Sequence, residues 1–145
     1  MSTSLVASAH AALLKTFQIE NGGDADVNFK ISTRSSENEI PLIELEGEVD
    51  VYTAPQLKQQ MLSFLDSGAN EMVIDLTKVE YLDSTALGVL IGGLKRIRER
   101  DGNLALICPN QRVRRVFEIT GLDKIFNIFS SEVEAQGVMA GKEMD

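Results

Sequence analysis

Between Tyr81 and Gly88 the chain reads Tyr-Leu-Asp-Ser-Thr-Ala-Leu-Gly, a carboxylate followed by two hydroxyls where an apolar strand pattern gives way to helical spacing. A hydroxyl at a helix start has two uses. As an N-cap, Ser84 or Asp83 accepts a hydrogen bond from one of the helix's unpaired N–H groups, worth about 1 kcal/mol. As a phosphate acceptor, Ser84 gains a charge of about −1.5 to −2 beside Asp83, enough to close an interface without refolding the domain. The inventory around it is poor in catalytic parts. The single histidine, His10, lies near the start of the chain, so a Ser-His-acid triad would require that segment to fold back over Ser84. There is no Gly-x-Ser-x-Gly elbow, no phosphate-binding loop ending in Lys-Ser/Thr, and no His or Cys cluster for zinc. Asp50, Asp75 and Asp83 at strand ends are a minor candidate Mg²⁺ set, since carboxylates at strand ends are more often caps and turn residues. No catalytic residue, metal or cofactor is expected.

The elements that must position this junction follow from periodicity. Residues 1–26 carry Leu5, Val6, Leu13, Leu14, Phe17 and Ile19, a short amphipathic pattern broken by Asn21-Gly22-Gly23-Asp24; they read as an extension, helical or disordered. From residue 27 the alternation of Val27, Phe29 and Ile31 predicts a strand, Ser35 to Glu39 a hairpin turn, and Pro41 to Val49 a second strand. Thr53 offers an N-cap and Pro55 suits a first turn, before Leu57, Met61, Phe64 and Leu65 recur at helical spacing up to Gly68. Met72 to Leu76 predicts a short strand bounded by Asp75 and Thr77, with Val79, Tyr81 and Leu82 leading to the junction. The second helix places Leu87, Leu90, Ile91, Leu94 and Ile97 on one face, and Asp101-Gly102-Asn103 ends it. Leu104 to Cys108 is a further strand, Gln111 to Thr120 a third helix closed by Gly121, and Ile125 to Phe129 an edge strand. A last helix starts near Ser131 and frays near Gly141. Strands alternating with helices imply parallel pairing through right-handed crossovers, with the first hairpin adding an antiparallel pair. The fold class is α/β with a mixed sheet: an extension over 1–26, a folded domain over 27–138 and a tail over 139–145.

At 145 residues the chain forms one domain able to bury about two-thirds of its unfolded surface without metals or disulfides. No apolar run approaches the ~20 residues of a membrane span and the start lacks a basic secretory region, which points to the cytoplasm. Cys108, the lone cysteine, sits in an apolar run and is expected to be a buried thiol. The net charge of −8 argues against nucleic acid or an anionic membrane as a direct partner. Residues 95–115 nevertheless hold seven bases and two acids, which suit either a docking patch or, better, a solvated face near helix C-termini. Gly88, Gly92 and Gly93 each cost a helix about 1 kcal/mol relative to Ala, so they serve either close packing or a docking face. Exposure decides between the two.

Three further motifs stand in order with the junction: Gly47-Glu48-Val49-Asp50 with Thr53-Ala54, Val73-Ile74-Asp75-Leu76, and Val116-Phe117-Glu118-Ile119-Thr120-Gly121-Leu122. Together they resemble the STAS family, in particular its single-domain bacterial anti-sigma factor antagonists. The resemblance implies a mixed sheet of four or five strands with about four helices. It also implies partner switching, in which the unphosphorylated protein binds an anti-sigma factor that is a serine kinase and thereby frees a sigma factor for transcription. Phosphorylation ends that binding, and a serine/threonine phosphatase restores it. Carried over, Ser84 is the acceptor, Thr85 a second hydroxyl, Asp83 the acid before it, and Asp50 the neighbouring acid. The contact surface is then Asp50 with Asp83, Ser84, Thr85, Ala86, Leu87 and Gly88. Ala86 departs from the family's usual Gly and is expected to narrow backbone freedom behind the acceptor. The alternative function is an accessory or scaffold subunit of a transporter or signalling complex, docking through the same surface without a kinase.

Overall fold

The computed structural model describes residues 28–36 and 38–144. Val27, His10 and the apolar pattern at positions 5–19 lie outside the described residues. Strands β1 (Phe29–Ser35) and β2 (Pro41–Val49) form an antiparallel hairpin, followed by helix α1 (Ala54–Asp66) and strand β3 (Glu71–Leu82). Helix α2 (Ser84–Arg98), strand β4 (Asn103–Ile107) and helix α3 (Gln111–Thr120) continue the alternation. A 3₁₀ turn at Leu122–Lys124, strand β5 (Asn127–Phe129) and helix α4 (Glu132–Met144) complete it. The sheet runs β1-β2-β3-β4-β5, parallel from β2 onward. Sequence order equals spatial order because each helix crosses over to the next strand, as α/β patterning requires.

Most of the apolar periodicities found a surface to bury; Ile119 of α3 and the expected spacing of the last helix at Val133 and Val138 did not, these three being 77%, 84% and 51% exposed. Leu57, Met61, Phe64 and Leu65 of α1, Leu90, Leu94 and Ile97 of α2, and Val113 and Phe117 of α3 pack on one face of the sheet, over Ile43, Leu45, Ile74, Leu76 and Leu106. Phe117 meets Phe126 edge-on, ring centroids 5.8 Å apart. On the other face a smaller cluster joins Leu42, Val73, Ala105 and Ile107 to Ala135 and Met139 of α4. The termini of α3 follow local rules: Asn110 caps it by accepting the Arg112 N–H at 2.9 Å, and Gly121 closes it in the left-handed conformation at φ 76°. Cys108, just past β4, is fully buried and its thiol donates to Asn110 O at 3.7 Å; burial pushes it up to about 11, so it carries no thiolate at neutral pH.

Two expectations change in detail. The short strand predicted near Met72 is a single strand of 12 residues, because Asp75 does not end it: its carboxylate accepts the Thr77 N–H at 2.9 Å and the chain continues alongside β2. The edge strand is confined to Asn127–Phe129, the residues before it being taken up by the 3₁₀ turn.

Helix α4 is fastened at its start by Arg34 of β1, whose guanidinium donates to both Glu132 oxygens, Nη1 to Oε2 at 3.1 Å. This hydrogen bond, with the positive charge behind it, holds the Glu132 carboxyl below its ordinary 4.5. A depressed carboxyl contributes its stability above the ordinary value and loses it as the pH falls through the folded one. In thermal melts Glu132→Gln is therefore expected to cost no more than about 1 kcal/mol at pH 7, as befits a solvent-open pair. That difference should close as the pH drops below 4.5.

Candidate functional site

Strands β2 and β3 end side by side, Val49 in register with Leu82. The Asp83 N–H donates to Val49 O at 3.2 Å, which sets Asp50 and Asp83 next to each other at the carboxyl ends of two parallel strands, where α1 and α2 begin. In open α/β sheets this rim is where ligands gather.

The cap at α2 is Asp83. Its backbone is extended at φ −100° and ψ −178°, and Oδ1 accepts the Ala86 N–H at 2.9 Å. That relieves Ser84 of any capping duty. Ser84 occupies the first helical position, exposed, and among the described residues its hydroxyl has no hydrogen-bond partner. Thr85 and Gly88 are exposed as well. Ala86 and Leu87, expected on the contact surface, point inward instead, 0% and 9% exposed, and belong to the main core. Their place in the helical period dictates this: they share a face with Leu90 and Leu94. Ala86 also needs no glycine-like freedom, since it lies within the helix with its N–H bonded to the cap.

Asp50 organises the β2–α1 turn. Its Oδ1 accepts the N–H groups of Tyr52 at 2.9 Å and Thr53 at 3.1 Å, while its carbonyl accepts from Ala54 at 2.7 Å. Thr53 is the N-cap residue of α1 as expected, but it is αR and makes no side-chain cap bond, because its hydroxyl is engaged on the strand side. The Thr53 hydroxyl, 1% exposed, instead accepts the Asp50 N–H at 2.8 Å and donates to Glu48 O at 3.0 Å. Thr53→Val keeps the shape but strands both backbone groups. It should lower stability in urea titrations by about 1–3 kcal/mol, with α1's first turn and Asp50 the first to loosen.

Sequence reasoning missed two residues on this rim. Val51 and Tyr52, between Asp50 and α1, are 54% and 83% exposed, and Tyr81 of β3, in register with Glu48, is 52% exposed. The signal available was their fit to neither the β2 alternation nor the α1 spacing. Exposed tyrosines of this kind are what protein interfaces favour.

Asp75 does not join the rim. It lies eight residues before Asp83 along β3, about 26 Å at strand rise, so the three aspartates considered as a cation set are not brought together. The glycines of α2 divide. A Cβ on Gly93 would lie 1.8 Å from Met61 Cε, so Gly93 exists for the α1–α2 packing, whereas Gly88 and Gly92 face open space. The basic block is partly structural: Arg98 donates to Ile125 O at 2.7 Å, and Arg100 ties down the end of α1 through Leu65 O and Ala69 O.

The sequence over residues 31–135 matches the STAS domain family. The chain belongs to this family. Its mixed five-stranded sheet with four helices is the arrangement the resemblance implied. This STAS domain is 38% identical over 111 residues to an anti-sigma-B factor antagonist of Listeria monocytogenes, covering 77% of this chain and 97% of the relative. It is 37% identical over 102 residues to that of Bacillus subtilis, covering 70% and 92%. Among solved structures it superposes on a putative anti-sigma factor antagonist of Thermotoga maritima with a TM-score of 0.66 and 31% identity, covering 74% of this chain and 92% of that one. No helix among the described residues is long and apolar enough to cross a membrane.

Proposed function

We propose that this STAS domain is a cytoplasmic anti-sigma factor antagonist that binds an anti-sigma factor with serine kinase activity while Ser84 is unmodified, and lets go once Ser84 carries a phosphate. The observation that carries the reading is the separation of roles at α2: Asp83 does the capping, so the exposed Ser84 hydroxyl has no structural task. The relatives, named anti-sigma-B factor antagonists, support an anti-sigma factor as the partner. Thr85 is a second exposed hydroxyl one residue on.

The contact surface is Asp50, Val51, Tyr52, Asp83, Ser84, Thr85 and Gly88. A phosphate on Ser84 sits at the N-terminus of a 15-residue helix, where N–H groups and the macrodipole stabilise negative charge, so the fold tolerates it. Docked against a partner, the same dianion beside Asp83 and Asp50 meets like charge while losing water. A serine/threonine phosphatase completes the cycle, and neither nucleic acid nor membrane is a direct partner.

The test is incubation of the full chain with ATP and the serine kinases of its source cell, followed by mass spectrometry of the peptide from Leu82 to Lys95. One added phosphoryl group on Ser84, lost in Ser84→Ala, is the expected result. An unmodified peptide would overturn the switch and leave the same surface as a constitutive dock, the accessory-subunit reading.

A further inference from the structure

Helices α1 and α2 leave a groove of about 290 Å³ between them, lined by Met61, Leu62, Leu65 and Val89 together with Lys58 and Arg96. Both cations are exposed, and among the described residues neither forms an ion pair and no acid lines the groove. In a chain of net charge −8 this is an apolar trough of purely positive sign. Charge complementarity therefore calls for an anion.

The shape narrows the choice further. The volume lies at the small end of ligand pockets, which run about 300–1,000 Å³. Gly93 has no room even for a Cβ beside Met61, so the two helices touch along the groove. The axes of touching helices lie about 8–10 Å apart, and a third helix about 10 Å across cannot sink between them. An extended peptide fits no better, because its N–H and C=O groups would face helices whose own backbone groups are already paired. A slender apolar chain with a charged head meets neither obstacle. Eleven positions separate Thr85 from Arg96, the first and last α2 residues of the lining. That is about 16 Å of helix at 1.5 Å per residue, room for a chain of about ten carbons. Gly88 and Gly92 keep the wall open between them: a Cβ on either would meet nothing within 4 Å.

We propose that the α1–α2 groove binds a free medium-chain amphipathic anion of the fatty-acid class. Its chain lies along Leu62, Leu65 and Val89, and its carboxylate pairs with Arg96, whose guanidinium can take both oxygens, while Lys58 adds a second positive charge. An occupied groove also covers Thr85 and Gly88. That this hinders an anti-sigma partner rests on the function proposed above; the binding itself does not.

The experiment titrates decanoate, below the concentration at which it aggregates, into the isotope-labelled full chain and follows the amides by NMR. Expected are saturating shifts at Leu62, Val89 and Gly92, with β4 and β5 unmoved. Uncharged decanol should bind about threefold to tenfold more weakly, and so should decanoate to Lys58→Gln/Arg96→Gln. Gly92→Leu puts its side chain into open space and replaces glycine by a good helix former, so it should raise the melting temperature while abolishing the shifts. Shifts that never saturate, equal binding of decanoate and decanol, or undiminished binding by Gly92→Leu would overturn the proposal. So would groove shifts that grow with protein concentration without ligand, which would assign the groove to a second copy, and sedimentation with phosphatidylglycerol vesicles, which would make the head group a membrane lipid's. The kinase reaction separates this site from the switch. Decanoate binding by a chain that no kinase modifies sinks the switch and keeps the site; phosphate on Ser84 of a chain that decanoate does not shift sinks the site alone.

Discussion

A Ser84→Asp protein is expected to bind an anti-sigma factor about a hundredfold more weakly than wild type, a loss near 3 kcal/mol, and Ser84→Ala to bind unchanged. The asymmetry follows from where the side chain sits. Position 84 is the first residue of α2 and is exposed, so truncation to Ala removes no internal contact. A carboxylate there is welcome in the free protein, since the helix N-terminus favours a negative charge by about 0.3–1 kcal/mol. The melting temperature of Ser84→Asp should thus hold or rise slightly. In the complex the same charge is dehydrated against Asp83 and Asp50, whose strands the Asp83–Val49 hydrogen bond holds together. Phosphate, with about twice the charge, is expected to reach roughly a thousandfold. Calorimetry of the three proteins reads both quantities; equal affinity of Ser84→Asp and wild type would remove the electrostatic basis of the switch.

The capping arithmetic at this junction was only half legible from sequence. Asp-Ser-Thr offers three residues that all cap well, and composition cannot rank them; the structure ranks them through Asp83's extended backbone, which aims Oδ1 at the Ala86 N–H. At α1 the expected cap residue, Thr53, stands in place without its side-chain bond: its hydroxyl goes to Glu48 O and the Asp50 N–H, a demand set by the strand end and not readable from local sequence. Elements whose signals are local came through intact: α3 runs from Gln111 to Thr120 with Gly121 in the left-handed position, and β2 from Pro41 to Val49, as their patterns predict. Strand β3 did not, because Asp75 and Thr77 satisfy one another within the strand and mimic a turn signal that the sheet overrides. Exposure of Val51 and Tyr52 was equally hidden, since an apolar residue is by default assigned to the core.

Register shifts in β2 against β3, between Glu44 and Glu46 and again between Gly47 and Glu48, carry the strand end to the rim, and a glycine makes the second one possible. Gly47 has φ 94°, and a Cβ built on it would fall 1.8 Å from Asn28 O and 2.7 Å from Asn28 C. Both are backbone atoms of the strand partner, so no rotamer change can relieve the contact. Gly47→Ala must push β1 outward, breaking the 2.9 Å bond from the Glu48 N–H to Asn28 O and uncovering Phe29, now 3% exposed in the main core. Left-handed strain of about 1–2 kcal/mol adds to that. The expected loss in denaturant titration is about 3 kcal/mol or more. Gly68→Ala isolates the strain: it shares φ 94° but has nothing within 4 Å of the added carbon, so it should cost only about 1 kcal/mol. A Gly47→Ala protein no less stable than Gly68→Ala would show that β1 yields freely at Asn28. In that case the strand entry would not be what holds Val49, and with it Asp50, in register beside Leu82 and Asp83.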